Sequence, residues 1–146
     1  MFVVGGMVPP GFASDITSAS LLEAVKNKLE PLVFLNKELL PLVSKSPASS
    51  YSVVTGLLGE APWMPNQALT SILNSSIYSF VQCVVAEQKA KGAGAGPRIN
   101  ELRLGAAIPA QFPTDAFAVL VQQVMTGTQV DSVVRVTPAE LTAGKL

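Results

Sequence analysis

The residues able to do chemistry are few. Histidine is absent from all 146 residues, which removes Ser-His-Asp and Cys-His catalysis and argues against a zinc site. The one cysteine, Cys83, excludes an intrachain disulfide and fits a reducing compartment. It lies in a helical pattern, where a buried, inert thiol is the expectation. Glu60 has the chemistry to titrate, but its setting beside Gly59 reads as a solvated surface carboxylate. Gly5-Gly6 follows the apolar run Met1-Phe2-Val3-Val4 and precedes a helical segment. Backbone amides can approach a pyrophosphate at such a turn, yet the G-x-G-x-x-G spacing is missing. Gly92-Ala93-Gly94-Ala95-Gly96 matches G-x-G only superficially, because it follows a helix and precedes a strand. Trp63 and Met64 are candidates either to line a cleft or to cover a core edge.

The elements that must position these residues follow from apolar spacing. Met1–Val4 reads as a buried strand stopped by glycines. A buried parallel strand needs neighbours on both sides, and none precedes it here. The expectation is therefore a part of a larger α/β domain, or a sheet that another chain completes. Ser20-Leu21-Leu22-Glu23 has capping-box spacing. Leu21, Leu22, Val25, Leu29, Leu32, Val33, Leu39 and Leu40 then recur at helical intervals, with a kink expected at Pro31. Tyr51–Thr55 is a second strand. Asn66 is the expected N-cap of a helix to about Lys91, with Leu69, Ile72, Leu73, Ile77, Phe80, Val84 and Val85 as its stripe. Residues 92–97 form a flexible Gly/Ala-rich loop. Arg98–Leu104 is a third strand, a helix begins at Thr114 or Asp115, and Val133–Val136 is a fourth strand. Residues 138–146 read as a tail.

The order is β-α-β-α-β-α-β. It predicts one α/β domain over 1–146: a partial Rossmann-like parallel sheet of about four strands, with helices on both faces and right-handed crossovers. Lys+Arg and Asp+Glu are both 10, so no basic excess recruits nucleic acid or anionic lipid. Apolar runs are cut by Pro, Ser, Asn or Gln, and no membrane span is expected. The apolar run at the N-terminus is too short for a signal-peptide core. Charged residues make up only 14% and mean hydropathy is +0.42, which points to a surface covered by a partner.

Three stretches carry a family resemblance. Asn36-Lys37-Glu38-Leu39-Leu40-Pro41-Leu42-Val43 resembles the end of the fourth helix of the short-chain dehydrogenase/reductase family. Tyr51-Ser52-Val53-Val54-Thr55-Gly56-Leu57-Leu58-Gly59 resembles its fifth strand and the serine-bearing loop after it. Arg98-Ile99-Asn100-Glu101-Leu102-Arg103-Leu104-Gly105 resembles its sixth strand. The resemblance covers nearly the whole chain and places it as the C-terminal portion of that family's domain, with the opening strand as the fourth of seven.

The resemblance implies an Asn-Ser-Tyr-Lys set. In the family the tyrosine exchanges the substrate proton, the lysine lowers its pKa and holds the nicotinamide ribose, and the serine orients the substrate oxygen. Counting back from Pro41, the asparagine falls at Lys28. The serine falls at Gly56, or one place earlier at Thr55, and the tyrosine and lysine at about Asn66 and Thr70. Neither tyrosine restores the motif, since Tyr51 has Thr55 four residues on and Tyr78 has Gln82. A neutral asparagine cannot donate the proton, and a threonine cannot supply the cation.

Three readings follow. The first is a non-catalytic family relative that acts as a scaffold or assembly subunit, with no cofactor. It would work through helices 20–43 and 66–91, which commonly build a four-helix interface in the family, or through the Phe2–Val4 strand edge. The second is a fragment of an NAD(P)-dependent oxidoreductase that binds NAD(P) only if an N-terminal part is supplied. The third is a small-molecule binding module. A reducing intracellular compartment or an organelle lumen is the expected location.

Overall fold

The computed structural model describes residues 2–4, 6–43, 46–91, 96–105, 114–128 and 130–137. The runs read as strands are strands: Phe2–Val4 (β1), Ser50–Gly56 (β2), Arg98–Leu104 (β3) and Val133–Val136 (β4). They form one parallel sheet in the order β1-β2-β3-β4. Every residue of β3 is buried, as expected for an inner strand of a parallel sheet. The connections are Ser18–Ala24 (α1) continuing into Glu30–Leu39 (α2), then Ala68–Ala90 (α3), then Thr114–Thr126 (α4).

Register assigns the faces. Tyr51, Val53 and Thr55 share a face with Ile99, Glu101 and Arg103, and with Val133 and Arg135. On that face Tyr51, Val53 and Ile99 pack with Leu32 of α2 and Ile77, Val81 and Val84 of α3. On the other face Val54, Leu102, Leu104 and Val136 pack with Leu120 and Val124 of α4. A third cluster, of Val8, Ala24, Leu69 and Leu73, joins α1 to the start of α3. Arg98 at the start of β3 donates to the carbonyls of Met125 (2.5 Å) and Gly127, so a cation closes the C-terminal end of α4.

Uniform handedness fails. The strands step in one direction across the sheet, with α2 and α3 over one face and α4 under the other. A parallel crossover that changes face without changing direction changes hand. The β3–α4–β4 connection therefore has the opposite hand to the two before it, against the strong general rule.

Local boundaries also move. The capping box is Thr17 with Ser20, each side chain accepting from the other's backbone amide, so α1 starts earlier than the Ser20–Glu23 spacing predicts. Pro31 does not break the helix in its middle. It stands in the first turn of α2, after a π-helical turn at Val25–Leu29 that absorbs the irregularity. Pro31 has no N–H to give the Asn27 carbonyl, and that carbonyl packs so close to Gly6 that a Cβ there would overlap it. Gln67, not Asn66, precedes α3, and its side chain makes no cap. Ile72 faces outward at 46% exposure, while Asn74, Tyr78 and Val81 take the inner stripe. Cys83 is exposed, contrary to the buried-thiol expectation, because it lies on the outer side of α3.

Among the described residues, α3 is one helix long and apolar enough to cross a membrane by length and composition alone. Its inner stripe is instead packed on the sheet. Parts of the 92–97 loop and the whole 138–146 tail lie outside the described residues.

Candidate functional site

The C-terminal ends of β2, β3 and β4 hold a charged cluster on the α3 side. The cause is in β3: Glu101 and Arg103 are two apart on a strand buried along its whole length, so both point to one face. Charges withdrawn from water must be paired and hydrogen-bonded. Thr55 Oγ1 donates to Glu101 Oε1 at 2.8 Å, and Arg103 Nη2 donates to Glu101 Oε2 at 2.7 Å. The other terminal nitrogen of Arg103 donates to Glu60, which follows the short turn Leu57–Gly59 after β2. Arg135 of β4 grips the same carboxylate, its Nε donating to Oε1 at 3.0 Å and Oε2 at 2.9 Å. Two guanidiniums thus converge on one carboxylate, and two positive charges are balanced by two negative.

Tyr78 of α3 lies under this cluster. The Arg103 guanidinium sits 3.5 Å from the centroid of its ring, a cation–π contact. The Tyr78 hydroxyl and Asn74 Nδ2 (3.0 Å) both donate to the Gly56 carbonyl. Ser75 Oγ donates to the Gly59 carbonyl at 2.7 Å. Gly59 is obligatory there, since a Cβ would stand 2.7 Å from the Ser75 backbone nitrogen.

The electrostatics favour a charged Glu60, Arg103 and Arg135 and protonated tyrosines at neutral pH. The Arg135 hydrogen bond, with Arg103 adding to it against the cost of burial, holds Glu60 below the usual carboxylate range. Glu60 in turn raises Arg135. Burial disfavours the charge on Arg103, but its bonds to Glu101 and Glu60 outweigh this and raise it. Burial pushes the Tyr78 hydroxyl up to about 12, with Arg103 opposing. Tyr51, fully buried in the core with its hydroxyl unpartnered, is likewise pushed by burial to about 12.

The positions counted from the family motif are distributed as follows. Gly56 ends β2. Asn66 is exposed, and its carbonyl accepts from Gly11 N at 2.6 Å. Thr70 lies in the first turn of α3 and donates to Gln67 Oε1 at 2.8 Å. Lys28 stands half-buried in the π turn, and burial lowers its pKa. The structure brings a tyrosine to position 56, but it is Tyr78, about three turns further along the chain than Asn66, where the family spacing places the tyrosine. Glu60 is not a free surface carboxylate; the two arginines hold it. Trp63 and Met64 are both exposed on the segment leading to α3.

Glu101, Arg103 and Arg135 were not legible as a site from motif spacing. The available signal was two charges on one face of an otherwise buried strand. On the α3 side a cavity of about 200 Å³ is lined by Val81, Val85, Ile99, Val133 and Glu101 and by the Lys89–Asp131 ion pair (3.4 Å). Among the described residues no group of three or more His, Cys, Asp or Glu is placed to hold a metal.

No protein-family model and no curated protein matches the sequence. Solved structures do match its fold. An NADPH-bound short chain oxidoreductase from Pseudomonas aeruginosa PAO1, described as containing an atypical catalytic center, superposes with a TM-score of 0.69 at 14% identity, over 93% of this chain and 63% of that one. The enoyl-[acyl-carrier-protein] reductase (NADH) of Aquifex aeolicus VF5 gives 0.71 at 17%, over 93% and 59%. A short-chain dehydrogenase/reductase from Serratia marcescens BCRC 10948 gives 0.70 at 10%, over 97% and 65%. The chain spans about six-tenths of the length of these structures. It has a partial short-chain dehydrogenase/reductase fold, a Rossmann-like α/β sheet.

Proposed function

We propose that this chain is a non-catalytic protein of the short-chain dehydrogenase/reductase fold that acts as a scaffold or assembly subunit through protein–protein contact. The observation that carries the reading is the state of position 56. A Cβ on Gly56 would stand 3.1 Å from Asn74 Nδ2, and the Gly56 carbonyl already accepts two donors. A serine there requires Asn74 to give way. Asn66 and Thr70 offer neither a titrating proton donor nor a cation, and Tyr78 stays protonated at neutral pH.

The contact surface proposed is the outer side of the α1–α2 segment. Leu22 of α1 is 61% and Phe34 of α2 54% exposed, and Leu42 in the turn just after α2 is 76% exposed. The β1 edge is a second candidate, since its backbone pairs only with β2 among the described residues. The purified chain is expected to associate in a dilution-stable complex by size exclusion with light scattering, and Phe34→Asp to disrupt it. NAD(P)H-dependent turnover, or tight dinucleotide binding by calorimetry, overturns the reading.

A second reading has its own support. The Pseudomonas aeruginosa structure holds NADPH, and this chain matches only part of it. On that reading the chain is a piece of an NAD(P)-dependent oxidoreductase. Dinucleotide binding that appears only when an N-terminal part is supplied favours it over the scaffold.

A further inference from the structure

Arg103 and Arg135 are direct partners in the β3–β4 register and lie on the same face of the sheet. Like charges placed opposite each other across strands repel, so an anion between them is stabilising. Glu101 neutralises Arg103 from within the sheet through a 2.7 Å hydrogen bond at 1% exposure. The anion that joins the two arginines is Glu60, and it comes from elsewhere: the exposed segment after the Leu57–Gly59 turn.

The two ends of this arrangement differ in permanence. Arg103 is buried, stacked on Tyr78 and fixed by Glu101, so its guanidinium is preorganised whether or not Glu60 is present. Its Nε has no hydrogen-bond partner, which leaves one buried donor of the fork unused. Glu60 and Arg135 have side chains 26% and 55% exposed. A solution anion bound between the two guanidiniums would replace the ion pairs that Glu60 makes with interactions of the same kind, so the exchange is between like contacts. The site also lies at the C-terminal ends of parallel strands, the rim where open α/β sheets take ligands.

We infer that Arg103 and Arg135 form a binding site for the carboxylate or phosphate group of a small molecule, which the chain's own Glu60 occupies in the unliganded state. Two guanidinium forks suit either anion, since both present paired oxygens to parallel N–H donors. Displaced Glu60 would carry the segment between Gly59 and α3 away from the rim, so binding and loop position are linked. The inference does not depend on the scaffold reading, because it concerns a rim site rather than the outer helices.

The test uses acetate and inorganic phosphate as probes at constant ionic strength, with chloride as control. In Glu60→Gln, and separately in Glu60→Ala, one or both probes are expected to raise Tm saturably where chloride does not. In the unaltered chain the same probe is expected to bind about tenfold or more weakly, because Glu60 competes, and to shift the backbone resonances of Gly59, Glu60 and Arg135. Arg135→Ala in the Glu60→Gln background is expected to abolish the response. A response to acetate alone identifies a carboxylate site, and one to phosphate alone a phosphate site; either supports the inference. It is overturned if the Glu60 variants respond no differently to the probes than to chloride. It is equally overturned if they respond but the unaltered chain shows no saturable shift, since Glu60 is then a permanent structural partner.

Discussion

The two faces of this sheet bury their strands by different means. Under α4 the packed centre is apolar: Leu102, Leu104, Leu120, Val124 and Val136 have almost no exposed surface, and polar groups enter that face only toward the starts of the strands, where Arg98 binds the last α4 carbonyls. Under α3 the apolar layer of Tyr51, Val53 and Ile99 gives way along the strands to Thr55, Glu101 and Arg103. The first face gains stability by excluding water. The second trades some of that gain for a charged set whose members are costly to separate. Buried ion pairs contribute little net stability but are strongly destabilising when halved. The charged cluster therefore tolerates single substitutions poorly and joint substitutions well, whereas the apolar centre under α4 is sensitive to volume.

The largest effect expected from this contrast is at Arg103. Arg103→Met leaves Glu101 buried without its cation and is expected to cost about 3–5 kcal/mol in urea unfolding. Adding Glu101→Leu is expected to recover most of that loss, as a double-mutant cycle. If the double variant is no more stable than the single one, the charged face is held by packing and the contrast breaks. Next is Leu120→Ala on the apolar face, expected to cost about 2–5 kcal/mol through the cavity left, with a slope against pH unchanged from the unaltered chain. A Leu120→Ala loss that varies with pH would mean the faces are coupled.

The smallest effect is at Glu60. Glu60→Gln is expected to lower stability by less than about 1 kcal/mol at neutral pH. Its pH signature is the sharper readout. The folded-state pKa of Glu60 is depressed, first by Arg135. Its contribution is thus full above the ordinary carboxylate range and is lost as pH falls through the folded value. The unaltered chain is expected to lose stability more steeply below about pH 4.3 than Glu60→Gln does.

Much of the fold was legible because its signals are local. Val133–Val136 and the alternating Arg98–Leu104 run state their own conformation, and Thr114 marks the start of α4 as spacing predicts. What was not legible depends on which of several local partners is chosen, or on partners distant in sequence. Ser20 reads as a cap until Thr17 is seen to exchange bonds with it. Pro31 reads as a kink until the preceding π turn is seen to place it at a helix start. The hand of the last crossover is a property of which face α4 covers, and its apolar stripe is compatible with either. The site was the least legible part. Glu60 lies 43 residues from Arg103 and 75 from Arg135 in sequence, and no spacing rule connects residues brought together only by sheet register.

The change of hand has a mechanical consequence. Since α4 passes beneath the sheet while the Arg135 side chain of β4 projects above it, the chain clasps the sheet around its β4 margin. The ion pair from Arg135 to Glu60 then fastens β4 to the segment that leads into α3. At the rim the strand that follows α4 is thereby joined to the segment that precedes α3 by a carboxylate held between two guanidiniums.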